Sequence, residues 1–163
     1  MFNIGDKIIY PNQGIGTINS IEKLEFRGEM QNYYLVNLNN SMKLKIPVIS
    51  AESLNIRLVS DCNVIDDNLK NMSELKIGDI EFLSLNFRER NAINSKKLKS
   101  GTLVDCLEVV CNLTELKKQH ALSSRDKEML QKTKMFLIDE ISESKNLPND
   151  KAKYILNMAI KVQ

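Results

Sequence analysis

The stretch LNFRERNAINSKKLKSG, residues 85–101, holds the side chains of this chain best placed to do chemistry. One aromatic, Phe87, stands directly before Arg88 and Arg90, and Lys96, Lys97 and Lys99 follow. Such a set supports binding rather than bond-making. Cations hold phosphates without reading sequence, and an apolar side chain among them can wedge into a base step. The same spacing also fits an ordinary helix whose first aromatic packs inward as a core anchor. Residues 88–101 carry five basic and one acidic side chain, net +4, whereas residues 61–87 carry two basic and six acidic, net −4. A polar helix face often has this bias, so charge alone points only weakly to nucleic acid.

Catalytic groups are scarce. His120 is the only histidine, so any triad or multi-histidine zinc site must use it. Cys62, Cys106 and Cys111 form no CxxC and no spaced metal motif. They read as small buried apolar residues in a reducing compartment. No Ser or Cys neighbourhood marks a nucleophile elbow. These features point away from an enzyme, and no metal or cofactor is expected. Gly14-x-Gly16 in YPNQGIG is spaced like part of a phosphate loop. Such a loop needs a helix N-terminus directly after it, because the helix amides bind the anion. Here GTINSIEKLEF continues as a strand, so a tight turn with close backbone approach is expected instead.

The elements that must carry these residues fall into two halves. The chain has 163 residues, 42% apolar and 27% charged, enough for one medium domain or two small ones. No apolar run approaches the ~20 residues of a membrane span. The opening MFNIGDKIIYP lacks the basic region and apolar block of a signal peptide. A cytosolic setting, with no membrane partner, is the expectation. Residues 1–58 read as β. In MKLKIPV, Met42, Leu44 and Ile46 alternate with Lys43 and Lys45, the period of a half-buried strand. In QNYYLVNL, Tyr34, Val36 and Leu38 oppose Tyr33, Leu35 and Asn37. With DKIIYP and GIGTINSIEKLEF before them, these runs suggest a small antiparallel barrel.

From about residue 62 the period becomes helical. Val64, Ile65, Leu69 and Met72 fit one short helix, and Leu103, Leu107 and Val110 belong to a well-buried one. Ser123 stands three residues before Asp126, an N-terminal capping pattern, and Met129, Leu130, Thr133, Leu137 and Ile141 then follow one face. Gly101 ends the basic helix. Pro148 sits near the start of a last helix striped by Ala152, Ile155, Leu156 and Ala159. The join lies within residues 58–63.

Taken in order, FNIGDKIIYPNQGIGTINSIE, QNYYLV, KIPV, KLKSG and LSSRDKEML resemble the CarD/CdnL family of bacterial transcription regulators over nearly the whole chain. The resemblance implies an α+β protein. Residues 1–58 would form a Tudor-like (SH3-like) antiparallel β-barrel that binds the RNA polymerase β subunit, and residues 63–163 a compact all-helical domain that contacts promoter DNA at the upstream edge of the bubble. A related β domain holds polymerase in the transcription-repair coupling factor. For this chain the resemblance implies a polymerase contact at Tyr33, Lys43, Lys45, Ile46 and Pro47. It implies DNA contact at Phe87, Arg88, Arg90, Lys97 and Lys127, with little sequence specificity. A monomer in the cytoplasm, associated with the nucleoid, is expected. The family places a Trp at the start of the basic helix, and this chain has none. Alignment back from KLKSG puts Phe87 there, whereas matching Leu85-Asn86 to the family's Trp-Asn puts Leu85 there. The aromatic and leucine expected later on that helix fall on Asn91 and Ser95, so the helix is expected to pack less firmly. A protein adaptor, whose helices bind another protein instead of DNA, is the alternative.

Overall fold

Alternation of apolar and polar side chains produces the β half. A computed structural model describes residues 1–72 and 79–161. Its first compact unit, Met1–Val59, holds strands β1 (Lys7–Tyr10), β2 (Gly14–Phe26), β3 (Glu29–Leu38), β4 (Lys43–Pro47) and β5 (Arg57–Leu58). They form one antiparallel sheet in the order β4-β3-β2-β1-β5. Its core draws Ile8, Ile18, Tyr34, Val36, Leu38 and Ile46 from four strands, with Ala51 and Ile56 from the following segment. The architecture is the antiparallel Tudor-like module followed by helices that the sequence led us to expect. Met42 departs from the expected face. It precedes β4, next to Ser41 in the left-handed region at φ 69°, and is 46% exposed. Only Leu44 and Ile46 of that trio turn toward the core.

The Gly-rich turn does serve close packing. Gly14 opens β2 at φ 110°. A Cβ on Gly16 would lie 2.5 Å from Val36 Cγ1, 2.8 Å from Leu38 Cδ2 and 3.2 Å from the carbonyl oxygen of Asn37. Side chains of β3 occupy the space that the missing Cβ leaves. Gly16→Ala should therefore destabilise the β unit by about 1–3 kcal/mol, the usual scale of overpacking. Thermal or urea unfolding measures this. An unchanged midpoint would mean that Val36 and Leu38 repack without strain.

The second unit, Ser60–Gln163, contains α1 (Cys62–Lys70), α2 (Asp79–Ser84), α3 (Phe87–Ser100), α4 (Leu103–Gln119), α5 (Ser124–Lys145) and α6 (Asn149–Lys161). Capping defines the starts. Asp61 accepts from the Asn63 amide, Thr102 from that of Asp105 and Ser123 from that of Asp126, each satisfying a donor the helix leaves free. Gly101 closes α3 at φ 69°, and Asn146 closes α5 at φ 51°, both in the left-handed conformation of helix ends. The core is built mainly on α4, with Leu107, Val110 and Leu113, and is completed by Ile65, Leu137, Ile141 and Leu156. Val64 does not join it and is exposed.

Polar links fix α1 on α5. Lys145 pairs with Asp66 at 2.7 Å and donates to Cys62 Sγ at 3.4 Å. The hydrogen bond to Lys145 holds the Asp66 carboxyl below its ordinary range, and the same bond raises the Lys145 ammonium above its own. Buried Glu140 accepts from the Ser60 amide at 3.1 Å and from its hydroxyl at 2.7 Å, so its carboxylate is not left without donors.

Candidate binding surfaces

The β unit ends in an open strand. β4 pairs with β3 on one side, and among the described residues nothing pairs with its other edge. An edge strand presents unpaired amides and carbonyls that can template another strand. Register decides what surrounds this edge. Tyr33 lies opposite Pro47, Leu35 opposite Lys45 and Asn37 opposite Lys43. Cross-strand partners share a face, so Tyr33, Lys43, Lys45 and Pro47 stand together on the outer side of the sheet. Lys43 and Lys45 are exposed there. Tyr33 is 9% exposed and acts mainly as a wall. Ile46, paired with Tyr34, is on the opposite face, 3% exposed and part of the core. Its backbone is at the edge, but its side chain is not.

On the helical unit, Asn86 caps α3. Its side chain accepts from the Glu89 amide at 3.1 Å, and the Glu89 carboxylate accepts from the Asn86 amide at 3.0 Å, a reciprocal capping box. Phe87 is thus the first helical residue, and it is 40% exposed. Arg88 beside it is also exposed. Two other cations of α3 are engaged. Arg90 turns its guanidinium back to the carbonyl of Leu85, and Lys97 forms a salt bridge with Glu108 of α4. The inward face of α3 is polar, with Asn91 and Asn94 buried. Ser95 donates to Asn91 at the long distance of 3.5 Å. Apolar side chains therefore contribute little to seating α3, although Leu98 packs against the core.

Lys127 is exposed in the first turn of α5. There the helix dipole favours anions. It borders a groove of about 540 Å³ that is shared with Lys117, Leu122, Leu130, Gln131 and Lys134. Burial, then repulsion from Lys117 and Lys153, lowers the Lys134 ammonium below the ordinary lysine range. Sequence reading did not single out Lys117 or Lys134. The signal present was the spacing of Lys127, Leu130 and Lys134 at i, i+3 and i+7 on one helix.

Two family models divide the chain. The CarD-like/TRCF RID domain model matches residues 2–60, and the model for CarD, C-terminal domain, matches residues 72–157. The "Putative transcription factor YdeB" of Bacillus subtilis (strain 168) is 36% identical over 155 residues, which cover 94% of this chain and 98% of that protein. The chain belongs to the CarD/CdnL family. In CarD/CdnL terms, the open edge of β4 lies within the part matched to the RID domain, and Phe87, Arg88 and Lys127 lie within the part matched to the C-terminal domain. Among the described residues no helix is long and apolar enough to cross a membrane, and no group of three or more His, Cys, Asp or Glu side chains could hold a metal ion.

Proposed function

We propose that this CarD/CdnL protein is a non-enzymatic transcription factor that binds the RNA polymerase β subunit through β4 and promoter DNA through its helical unit. The observation that carries this reading is the unpaired β4 edge, with exposed Lys43 and Lys45, in a unit matching the RID domain. A partner strand adding to that edge supplies backbone hydrogen bonds, while the lysines select an acidic surface beside it. Exposed Phe87 wedges into a base step and Arg88 holds a neighbouring phosphate. Lys127 adds a phosphate contact at a helix N-terminus. Binding the distorted duplex more tightly than the closed one shifts the promoter equilibrium by the difference in affinity. Output then depends on the promoter, because a longer-lived open complex helps slow opening and hinders escape.

The test is open-complex lifetime at several salt concentrations, with and without the protein. The protein should lengthen the lifetime at a slow-opening promoter. Lys127→Glu should shorten it again and reduce the salt slope by about 1, the expectation for one lost phosphate contact. Polymerase binding should be unaffected. Wild-type lifetime and slope in this variant would make Lys127 a solvated lysine with no DNA role.

The adaptor reading draws support from the engaged side chains of α3. Arg90 and Lys97 each already hold a partner within the protein, which reduces the cationic side chains available to phosphate. Footprinting on a promoter complex separates the readings. Protection at the upstream bubble edge that disappears with Phe87→Ala supports DNA contact. Polymerase binding without such protection supports the adaptor.

A further inference from the structure

We infer that the groove between the end of α4 and the start of α5 docks a short acidic protein segment carrying at least one aliphatic side chain. Its floor is apolar, formed by Leu122 and Leu130, and its rim carries Lys117, Lys127 and Lys134. Lys127, Leu130, Gln131 and Lys134 follow at i, i+3, i+4 and i+7 along α5, so they form one stripe about 10 Å long. Lys117 contributes a cation from α4. Among the described residues, no carboxylate lines the groove. Among the described residues, none pairs with these three ammonium groups.

The volume of about 540 Å³ falls within the range of ligand pockets. Three cations beside an apolar floor with no carboxylate described among them are an unbalanced arrangement; burial first, then repulsion from Lys117 and Lys153, lowers the Lys134 ammonium below the ordinary lysine range. A carboxylate at the rim relieves the repulsion, and an aliphatic side chain on the floor covers Ala121 and the small part of Leu122 and Leu130 that is still exposed. Both requirements must come from one ligand. A nucleic-acid backbone supplies the negative charge but has no aliphatic side chain to fill the floor. An acidic segment with an interspersed leucine supplies both. The inference is carried by Lys117 and Lys134, neither of which is assigned a DNA or polymerase contact above; Lys127, the proposed phosphate contact, borders the same groove and serves one ligand at a time.

The probe is a synthetic peptide of about a dozen residues, mostly glutamate, with two leucines. It is titrated into the full chain while the leucine methyl resonances are followed. The leucine peptide should shift the methyl groups of Leu122 and Leu130. Replacing its leucines by serine should weaken binding about tenfold or more, the scale of one buried leucine. Lys117→Gln with Lys134→Gln should weaken the leucine peptide about tenfold, an effect worth about 1.4 kcal/mol. These substitutions remove the charge and leave a polar side chain one atom shorter, and an otherwise unchanged methyl spectrum establishes that the fold is intact. If the fold is lost, the single variant Lys117→Gln, at an exposed position, should still weaken binding severalfold. Equal affinity for the serine peptide would reduce the site to nonspecific charge attraction. Duplex DNA shifting the same methyls as tightly would make it a nucleic-acid groove. Unshifted methyls at millimolar leucine peptide, or unchanged affinity after loss of the lysines, would also overturn the inference.

Discussion

Phe87→Ala should leave the fold standing and remove most of the protein's effect on open-complex lifetime. The side chain is 40% exposed, and the helix start beneath it is held by the reciprocal Asn86–Glu89 bonds. Truncation removes neither bond. Exposed positions typically change stability by no more than about 0.5 kcal/mol, whereas a buried Phe truncated to Ala costs about 3–5 kcal/mol. The melting temperature should therefore stay within a few degrees of wild type. Loss of the wedge, in contrast, removes the contact that favours a distorted duplex. Phe87→Trp should keep or strengthen the lifetime effect, because it enlarges the wedge and adds an N–H donor. Leu85→Ala distinguishes the alignments. Leu85 precedes the cap, is partly buried, and its carbonyl receives the Arg90 guanidinium. If Leu85→Ala abolishes the effect on a stable fold while Phe87→Ala unfolds the helical unit, Leu85 is the wedge. If neither changes lifetime while polymerase still binds, the DNA mechanism gives way to the adaptor.

These surfaces were unequally legible in the sequence. The alternation of Tyr34, Val36 and Leu38 predicted their shared core face because a strand's side chains alternate with a fixed period of two. Asn86 three residues before Glu89 contained a readable start signal for α3. That signal accounts for the place of Phe87 at the first helical residue. Periodicity did not identify α2, a helix of only six residues in an acidic stretch. The engagement of Lys97 by Glu108 depends on how α3 and α4 pack, and spacing along one helix cannot specify that partner. The same alternation separates the Ile46 side chain from that of Lys45 within β4. Neighbours in a strand face opposite ways, and here one faces the core while the other is exposed. The open position of β4 required the strand order, which local sequence does not encode.

The separation of Lys45 from Ile46 gives the polymerase contact its sharpest test. Lys45→Glu should weaken binding to the β subunit by about 1–3 kcal/mol, the scale of disrupting an interfacial charge contact, or about 5- to 150-fold. Stability should change little, since the side chain is exposed on the outer face. Ile46→Ala should do the reverse at first sight. It empties a core position that is 3% exposed and should cost about 2–5 kcal/mol of folding stability. Any loss of polymerase binding by Ile46→Ala should follow the unfolded fraction and recover on cooling toward the temperature of maximum stability. The Lys45→Glu defect should persist in fully folded protein and diminish as salt screens the charge. Calorimetric titration of both variants at two salt concentrations distinguishes these effects. Wild-type affinity for Lys45→Glu at low salt would remove Lys45 from the contact. It would leave backbone pairing at the β4 edge to be tested by a proline substitution there, because proline lacks the amide that a partner strand would use.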